Sequence, residues 1–192
     1  MSRNALRDLV DRHAAAEGMV DTPIEGLQLY RVTQPIERLP TVYPPSICCI
    51  VQGSKRAYLA GTTHVYDPRQ YLCVTMPLPM EAEVVEATPD KPLLGLLLSL
   101  ETRAMAETMV EYEAIVGPSR GSASHEPTPG LAVASLDAPF ATAAERLLSL
   151  LDDPVRLRVL GSVRLREFLF TIIDGGAGPL IRRTFGGSHD IS

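Results

Sequence analysis

Apolar and polar residues alternate along Leu27-Gln28-Leu29-Tyr30-Arg31-Val32-Thr33, the two-residue period of a half-buried strand. Pro35 ends it, and a proline-rich connection leads to Ile47-Cys48-Cys49-Ile50-Val51, apolar at every position. That run predicts a strand covered on both faces. Gln52-Gly53-Ser54-Lys55 then turns the chain, 57–59 returns, Ala60-Gly61-Thr62 turns again, and 63–66 is another short strand before the Asp67-Pro68 turn. Residues 71–76, 82–87 and 93–100 complete seven strands, with Pro77, Pro79 and Thr88-Pro89-Asp90 as stops. Seven short strands separated by turn residues predict a barrel or a sandwich.

Elsewhere the period is helical. Leu6, Leu9, Val10 and His13 give residues 5–16 one apolar face, a short helical arm. Ala104, Met105, Thr108, Met109 and Tyr112 do the same for 101–115. Residues 131–136 read as a last strand or an extended segment. Pro139 opens a helix over 140–151, with Leu147 and Leu151 on its apolar face. Asp153 suits an N-cap and Pro154 the first helical position. The next helix, 155–174, carries the stripe Phe168, Leu169, Ile172 and Ile173, with Gly161 as an expected break and Gly175-Gly176 as its stop. The chain divides into an arm (1–20), a strand-rich unit with one appended helix (21–137, the helix at about 101–115), a helical block (138–176) and a weakly patterned tail (177–192).

Composition narrows the function. Of 192 residues, 45% are hydrophobic and 21% charged, an ordinary globular balance. A net charge of -5 argues against unaided binding to a nucleic-acid backbone, which needs clustered Lys and Arg. No apolar run is long enough to span a bilayer, and the charged N-terminus lacks the apolar centre of a signal peptide. The expectation is a cytoplasmic protein with no membrane partner. Three cysteines, an odd number, fit free thiols in a reducing compartment.

Candidate chemistry is sparse. His64 stands on a strand with Tyr66 where a second metal ligand on that face would be, too few ligands for a metal site. Cys48 and Cys49 are adjacent, so in a strand they face opposite ways and do not pair with each other. They read as two small buried hydrophobes or as a thiol that senses oxidants or electrophiles, although no Lys, Arg or His lies beside them in sequence. Gly117-Pro118-Ser119-Arg120-Gly121 fits G-x-S-x-G, with His125 close behind, but a helix precedes the serine where the hydrolase elbow needs a strand. Gly175-Gly176-Ala177-Gly178 follows a helix and is a stop rather than a phosphate cradle. Arg156, Arg158, Arg164 and Arg166, among apolar residues on the last helices, read as a solvated face or the rim of a dimer interface.

Tyr43-Pro44-Pro45-Ser46-Ile47-Cys48, Gln52-Gly53-Ser54-Lys55, Tyr66-Asp67-Pro68 to Tyr71-Leu72, and Glu86-Ala87-Thr88-Pro89, in that order, resemble the N-terminal domain of AraC-type transcriptional regulators. The resemblance runs from about Thr22 to Asp190. It implies an α+β fold, mainly β: a cupin-like β-barrel that binds a small organic effector, followed by helices that make a homodimer. It also implies DNA binding through a C-terminal helix-turn-helix domain, which would begin beyond Arg182-Arg183-Thr184-Phe185 and is missing from this chain. The family's cupin metal ligands are not matched, so the expected site is an organic pocket with no cofactor, no metal and no catalytic residue. Tyr30, Cys48, Ile50, His64, Tyr66, Thr75 and Leu98 are the expected lining positions. Leu147, Leu151, Phe168, Leu169 and Ile172 are the expected dimer contacts. The alternative is a cupin-type metalloenzyme using His64.

Overall fold

The computed structural model describes residues 3–117 and 129–186. Its elements run α1 Arg3–His13, β1 Gly18–Asp21, β2 Leu27–Val32, β3 Ile36–Tyr43, β4 Ser46–Gln52, β5 Lys55–Leu59, β6 Thr62–Tyr66, β7 Gln70–Val74, β8 Leu78–Val84 and β9 Leu93–Ser99. Then follow α2 Arg103–Val116, β10 Leu131–Ser135, α3 Ala138–Leu148, a 3-10 turn Ser149–Asp152, α4 Pro154–Asp174 and α5 Gly178–Phe185. The fold is mainly β with helices. Its strands form two antiparallel sheets, one of six in the order β1-β2-β9-β4-β7-β10 and one of four in the order β3-β8-β5-β6.

The six-stranded sheet is covered on both faces, and strand parity decides what each side chain meets. Ile47, Cys49, Tyr71, Cys73, Leu94, Leu96 and Leu98 join α1, α2, α3, α4 and α5 in one core. Tyr30, Cys48, Ile50, Leu72, Val74 and Leu93 face the smaller sheet, meeting Tyr43, Ala57, Tyr66, Leu78, Met80 and Val84 in a second core. The arm therefore shares its core with the helical block: Leu6, Leu9 and Val10 are buried with Leu147 and Phe168.

Several boundaries differ from the pattern's prediction. β3 forms where the prolines pointed to a connection. It is an edge strand, and Pro40 lies opposite Glu81 of β8, a place where a missing N–H costs no central ladder bond. β8 begins at Leu78 rather than 82; Pro79 lies outside the Glu81–Glu83 stretch that pairs with β5, so it interrupts nothing there. β1 is a four-residue edge strand on β2. α4 runs unbroken through Gly161, and α5 forms inside the expected tail, burying Leu180 and Ile181.

The helix starts follow their capping residues. Asp153 accepts hydrogen bonds from the N–H groups of Val155 and Arg156, both 3.0 Å, with Pro154 in the first turn. Asp137 accepts from Phe140 N at 2.9 Å, and Thr102 from Met105 N at 3.1 Å. Each satisfies a backbone donor that the first helical turn leaves unpaired.

Candidate functional site

A buried polar cluster stands in the apolar core between the sheets. The Tyr43 and Tyr66 hydroxyls share a hydrogen bond of 2.9 Å. Tyr30 Oη lies 3.5 Å from Cys48 Sγ, and the same thiol reaches Tyr66 Oη at 4.0 Å. Lys55, the first residue of β5, turns inward: its ammonium sits 5.2 Å from the ring centroid of Tyr43 and 5.8 Å from that of Tyr30. Strand register builds the cluster. Lys55 pairs with Tyr66 across β5 and β6, and Cys48 lies on β4, directly across the interface between sheets.

Two glycines make room for it. Gly53 adopts a left-handed φ of 85° where the chain leaves one sheet for the other, and a Cβ there would meet Leu93 Cδ1 at 2.9 Å. Gly95, opposite Tyr30 on β9, leaves the space that the Tyr30 ring fills.

Burial governs the protonation of these groups. It pushes the Tyr30 and Tyr66 hydroxyls well above the ordinary tyrosine value, and the nearby Cys48 thiol adds to the effect, so both phenols stay protonated at neutral pH. For Lys55, burial works against the charge, while Cys48 and Tyr43 work for it and prevail; its pKa lies above the ordinary lysine value. The ammonium is therefore charged at neutral pH. Cys49, on the other face of the same strand, is pushed up by burial, and its thiol faces the helices.

Just outward of the Lys55–Tyr66 pair, Ser54 and Asp67 line an open cavity of about 680 Å³, with Gly53, Ala87 and Lys91. The cavity is the mouth of the two-sheet stack, formed where the β4–β5 turn, the β6–β7 turn and the 85–91 connection converge. Ala87 belongs both to this wall and to the inter-sheet core. A second cavity, about 650 Å³, lies on the helical side; Ile24, Ala104, Leu157, Gly161 and Leu165 line it, with Arg158 among its charged residues.

Of the seven expected lining residues, the structure brings Tyr30, Cys48, Ile50 and Tyr66 together between the sheets. His64 lies two residues before Tyr66 on the same face of β6, and its Nε2 is buried without a hydrogen-bond partner among the described residues. Leu98 and Thr75 are placed elsewhere. Leu98 belongs to the helix-side core, and Thr75 is buried where the Thr184 hydroxyl of α5 donates to it at 3.0 Å. An all-apolar strand gives no parity signal, which is why Leu98 could not be assigned a face. Cys48 is the inward cysteine of the pair. Lys55, distant from it in the sequence pattern, comes to its side in space.

Tyr43, Lys55 and Gly95 are the site residues that pattern reading missed. A lysine at an inward position of an alternating strand, and a glycine interrupting a leucine run, were the available signals. The expected dimer contacts Leu147, Phe168, Leu169 and Ile172 are all buried within this chain's own core, and Leu151 packs against it. The exposed apolar residues of α4 are Val155 (73%), Val159 (68%), Val163 (58%) and Phe170 (50%). The G-x-S-x-G match extends outside the described residues. Among the described residues, no three His, Cys, Asp or Glu side chains converge to hold a metal ion, and no helix is long and apolar enough to cross a membrane.

Comparison with known proteins gives the family. No curated protein sequence matches the chain. Among solved structures, the unsaturated fatty acid bound wild-type ToxT from Vibrio cholerae strain SCE256 is similar, with a TM-score of 0.52 and 9% identity over 83% of this chain and 55% of that one. An apo ToxT variant from the same strain gives 0.47 and 8%, over 80% and 56%. The chain thus spans little more than half the length of these structures. The family described as AraC-type transcriptional regulator N-terminus matches residues 23–180, the greater part of the chain, and the protein belongs to that family.

Proposed function

We propose that this chain is the effector-binding and dimerisation part of a transcriptional regulator, and that the effector enters the mouth between the two sheets. The observation that carries this is the buried Lys55–Tyr43–Tyr66–Cys48–Tyr30 cluster between the sheets, with an open cavity nearby whose wall residue Ala87 also belongs to the inter-sheet core. Polar groups are costly in an apolar core unless they serve one another or a ligand. An organic ligand is supported by the fold likeness to ToxT, whose structure is described as bound to an unsaturated fatty acid.

β7 offers a route from this site to the helices. Leu72 faces the inter-sheet core, while its neighbour Tyr71 stacks on Phe140 of α3 at 4.5 Å; Phe140 meets Phe168 of α4 edge-on at 4.9 Å. An effector that prefers one placement of β7 would shift the population of α3–α4 arrangements. The partner on α4 is a second copy of this chain, seated on the Val155, Val159, Val163 and Phe170 stripe. In the intact regulator this dimer would set the spacing of helix-turn-helix domains on DNA.

The test is thermal unfolding of the chain across a library of small organic compounds, since a ligand of the folded state raises the midpoint. The expected hits lose their effect in the double variant Tyr43→Phe, Tyr66→Phe. Hits that survive it, yet vanish when Gly161→Leu fills the helical groove, would move the effector to the helical side. A library without hits would leave a dimerisation module.

A further inference from the structure

We propose that the cleft between α2 and α5 is a binding site for a small organic cation, with the Glu113 carboxylate as counter-ion and Met105, Met109 and Phe185 as apolar walls. The site is separate from the mouth between the sheets and does not rest on the reading of that mouth.

The carboxylate is the starting point. Glu113 stands in the last turn of α2, and its Oε1 is buried with no hydrogen-bond partner. Among the described residues it makes no ion pair, whereas Glu107 and Glu111 of the same helix pair with Arg103 and Arg166. A buried carboxylate oxygen without a donor is costly, and a charge-assisted hydrogen bond relieves it.

Two helix ends deepen the negative field. α2 has no basic residue in its last turn. α5 ends against the same carboxylate, which takes the space that a Cβ on its C-cap Gly186 would occupy. Helix C-termini present unpaired carbonyls and favour cations, so a carboxylate where two of them meet lacks its complement. The arginines of α5 form no ion pair with it. Arg182 donates to the Ile173 carbonyl and lies over the Tyr112 ring, and Arg183 is engaged as well.

A cavity of about 310 Å³ opens beside this charge, walled by Leu100, Met105, Met109, Val110 and Phe185. Its charged lining residues, Glu101 and Glu113, are both acidic. The mouth and the helical groove each include a cation, Lys91 in one and Arg158 in the other. The volume is at the low end of ligand sites, about 300–1,000 Å³, which suits one ammonium on a short hydrocarbon body. Phe185 offers an aromatic surface to the ammonium, and the thioethers adapt to the apolar part. An anion would meet two carboxylates. A bare metal ion would find too few ligands, since no three His, Cys, Asp or Glu side chains converge among the described residues.

Methionine reports on the site directly. The chain holds six methionines; Met105 and Met109 line this cavity, and Met80 lies in the inter-sheet core. The full chain, labelled with carbon-13 methyl methionine, is titrated at neutral pH with benzylammonium and butylammonium, against benzyl alcohol, butan-1-ol and magnesium. Met80→Leu, Met105→Leu and Met109→Leu assign the three signals. The expected result is a saturable shift of Met105 and Met109 with the amines alone, Met80 staying still. Affinity should fall about tenfold or more in Glu113→Gln. Alcohols that bind as tightly as the amines would overturn the cation class, and equal shifts with magnesium would overturn the organic ligand. Unchanged affinity in Glu113→Gln would overturn the counter-ion. Amines that move Met80 instead, or no shift with any probe, would overturn the site. Glu113→Gln should also raise the thermal midpoint of the ligand-free chain, because it removes a charge that has no partner; a fall would mean that the carboxylate already has its complement. Should the variant fail to fold, the comparison of amine with alcohol on the native chain decides the matter alone.

Discussion

The Tyr30 ring fills the space above Gly95, its partner across β2 and β9, so that a Cβ on Gly95 would fall inside van der Waals contact with Tyr30 Cζ and 2.6 Å from the Cys49 carbonyl oxygen. The missing side chain on β9 is what lets a tyrosine lie inward and bring its hydroxyl to Cys48. Gly95→Ala should destabilise the fold by about 1–3 kcal/mol through overpacking. It should also abolish ligand-induced stabilisation before it abolishes folding. Urea unfolding with and without a ligand of the native chain measures both effects; full ligand response in a folded Gly95→Ala variant would separate Tyr30 from the site.

Cys48 and Cys49 differ in surroundings rather than in burial. Cys48 lies beside Lys55, Tyr30 and Tyr66, whereas Cys49 packs under the helices and its thiol is pushed up by burial. A thiol near a cation and hydroxyl donors is the more reactive one. Brief treatment of the folded protein with N-ethylmaleimide, read by peptide mass spectrometry, should therefore modify Cys48 ahead of Cys49 and Cys73. Equal, slow modification of all three, matching global opening, would mark them as inert core residues.

His64 gives the site a pH dependence. Burial lowers its pKa below the ordinary 6.5, and its buried Nε2 has no partner to stabilise a proton. The unfolded chain then binds that proton more readily than the folded one. Stability from this group is therefore complete above about pH 6.5 and declines as the pH falls toward the folded-state value. The imidazole is only partly buried, so the effect should stay below about 1 kcal/mol. Urea midpoints of the native chain and of His64→Leu at pH 7.5 and pH 5 test the sign: the native chain should lose more stability between the two. An equal loss would assign the pH dependence to other groups.

The dimer and core contacts of α4 separate by substitution. Phe168→Ala should cost about 3–5 kcal/mol of folding stability because the ring is buried against Phe140. Val159→Glu, on the exposed stripe, should leave monomer stability within about 0.5 kcal/mol. It should shift the chain toward monomer in sedimentation equilibrium. A Val159→Glu, Val163→Glu double variant that sediments as the native chain does would rule out this stripe as the interface.

What the sequence made legible followed from local periods. The opposite facing of Cys48 and Cys49 needs only strand geometry, and Asp153-Pro154 announces its helix by itself. Long-range information was out of reach. β3 could not be read because Pro40 is tolerated only through its edge position, a property of the assembled sheet. Lys55 could not be joined to Cys48 because the two strands lie in different sheets. The face of Leu98 was hidden by a run in which both faces are apolar. On α4 the two apolar sets are separable in the sequence, but which one the chain uses for itself depends on where α3 packs.

Gly161 ties the helical side to this question. It sits inside a continuous helix, where glycine is about 1 kcal/mol less favourable than alanine, and its backbone needs no left-handed conformation. A Cβ there would meet one atom, Leu157 Cδ1, at an ordinary 3.4 Å. Within the chain, then, nothing requires a glycine. It lies on the floor of the helical groove with Leu157 and Leu165, on the face of α4 turned away from the Val155, Val159 and Val163 stripe. A second copy seated on the stripe would not reach it. Gly161→Ala should therefore raise the thermal midpoint and leave association in sedimentation equilibrium as it is in the native chain. A variant that gains stability but associates more weakly would place the crossing of the two copies in the groove and not on the stripe.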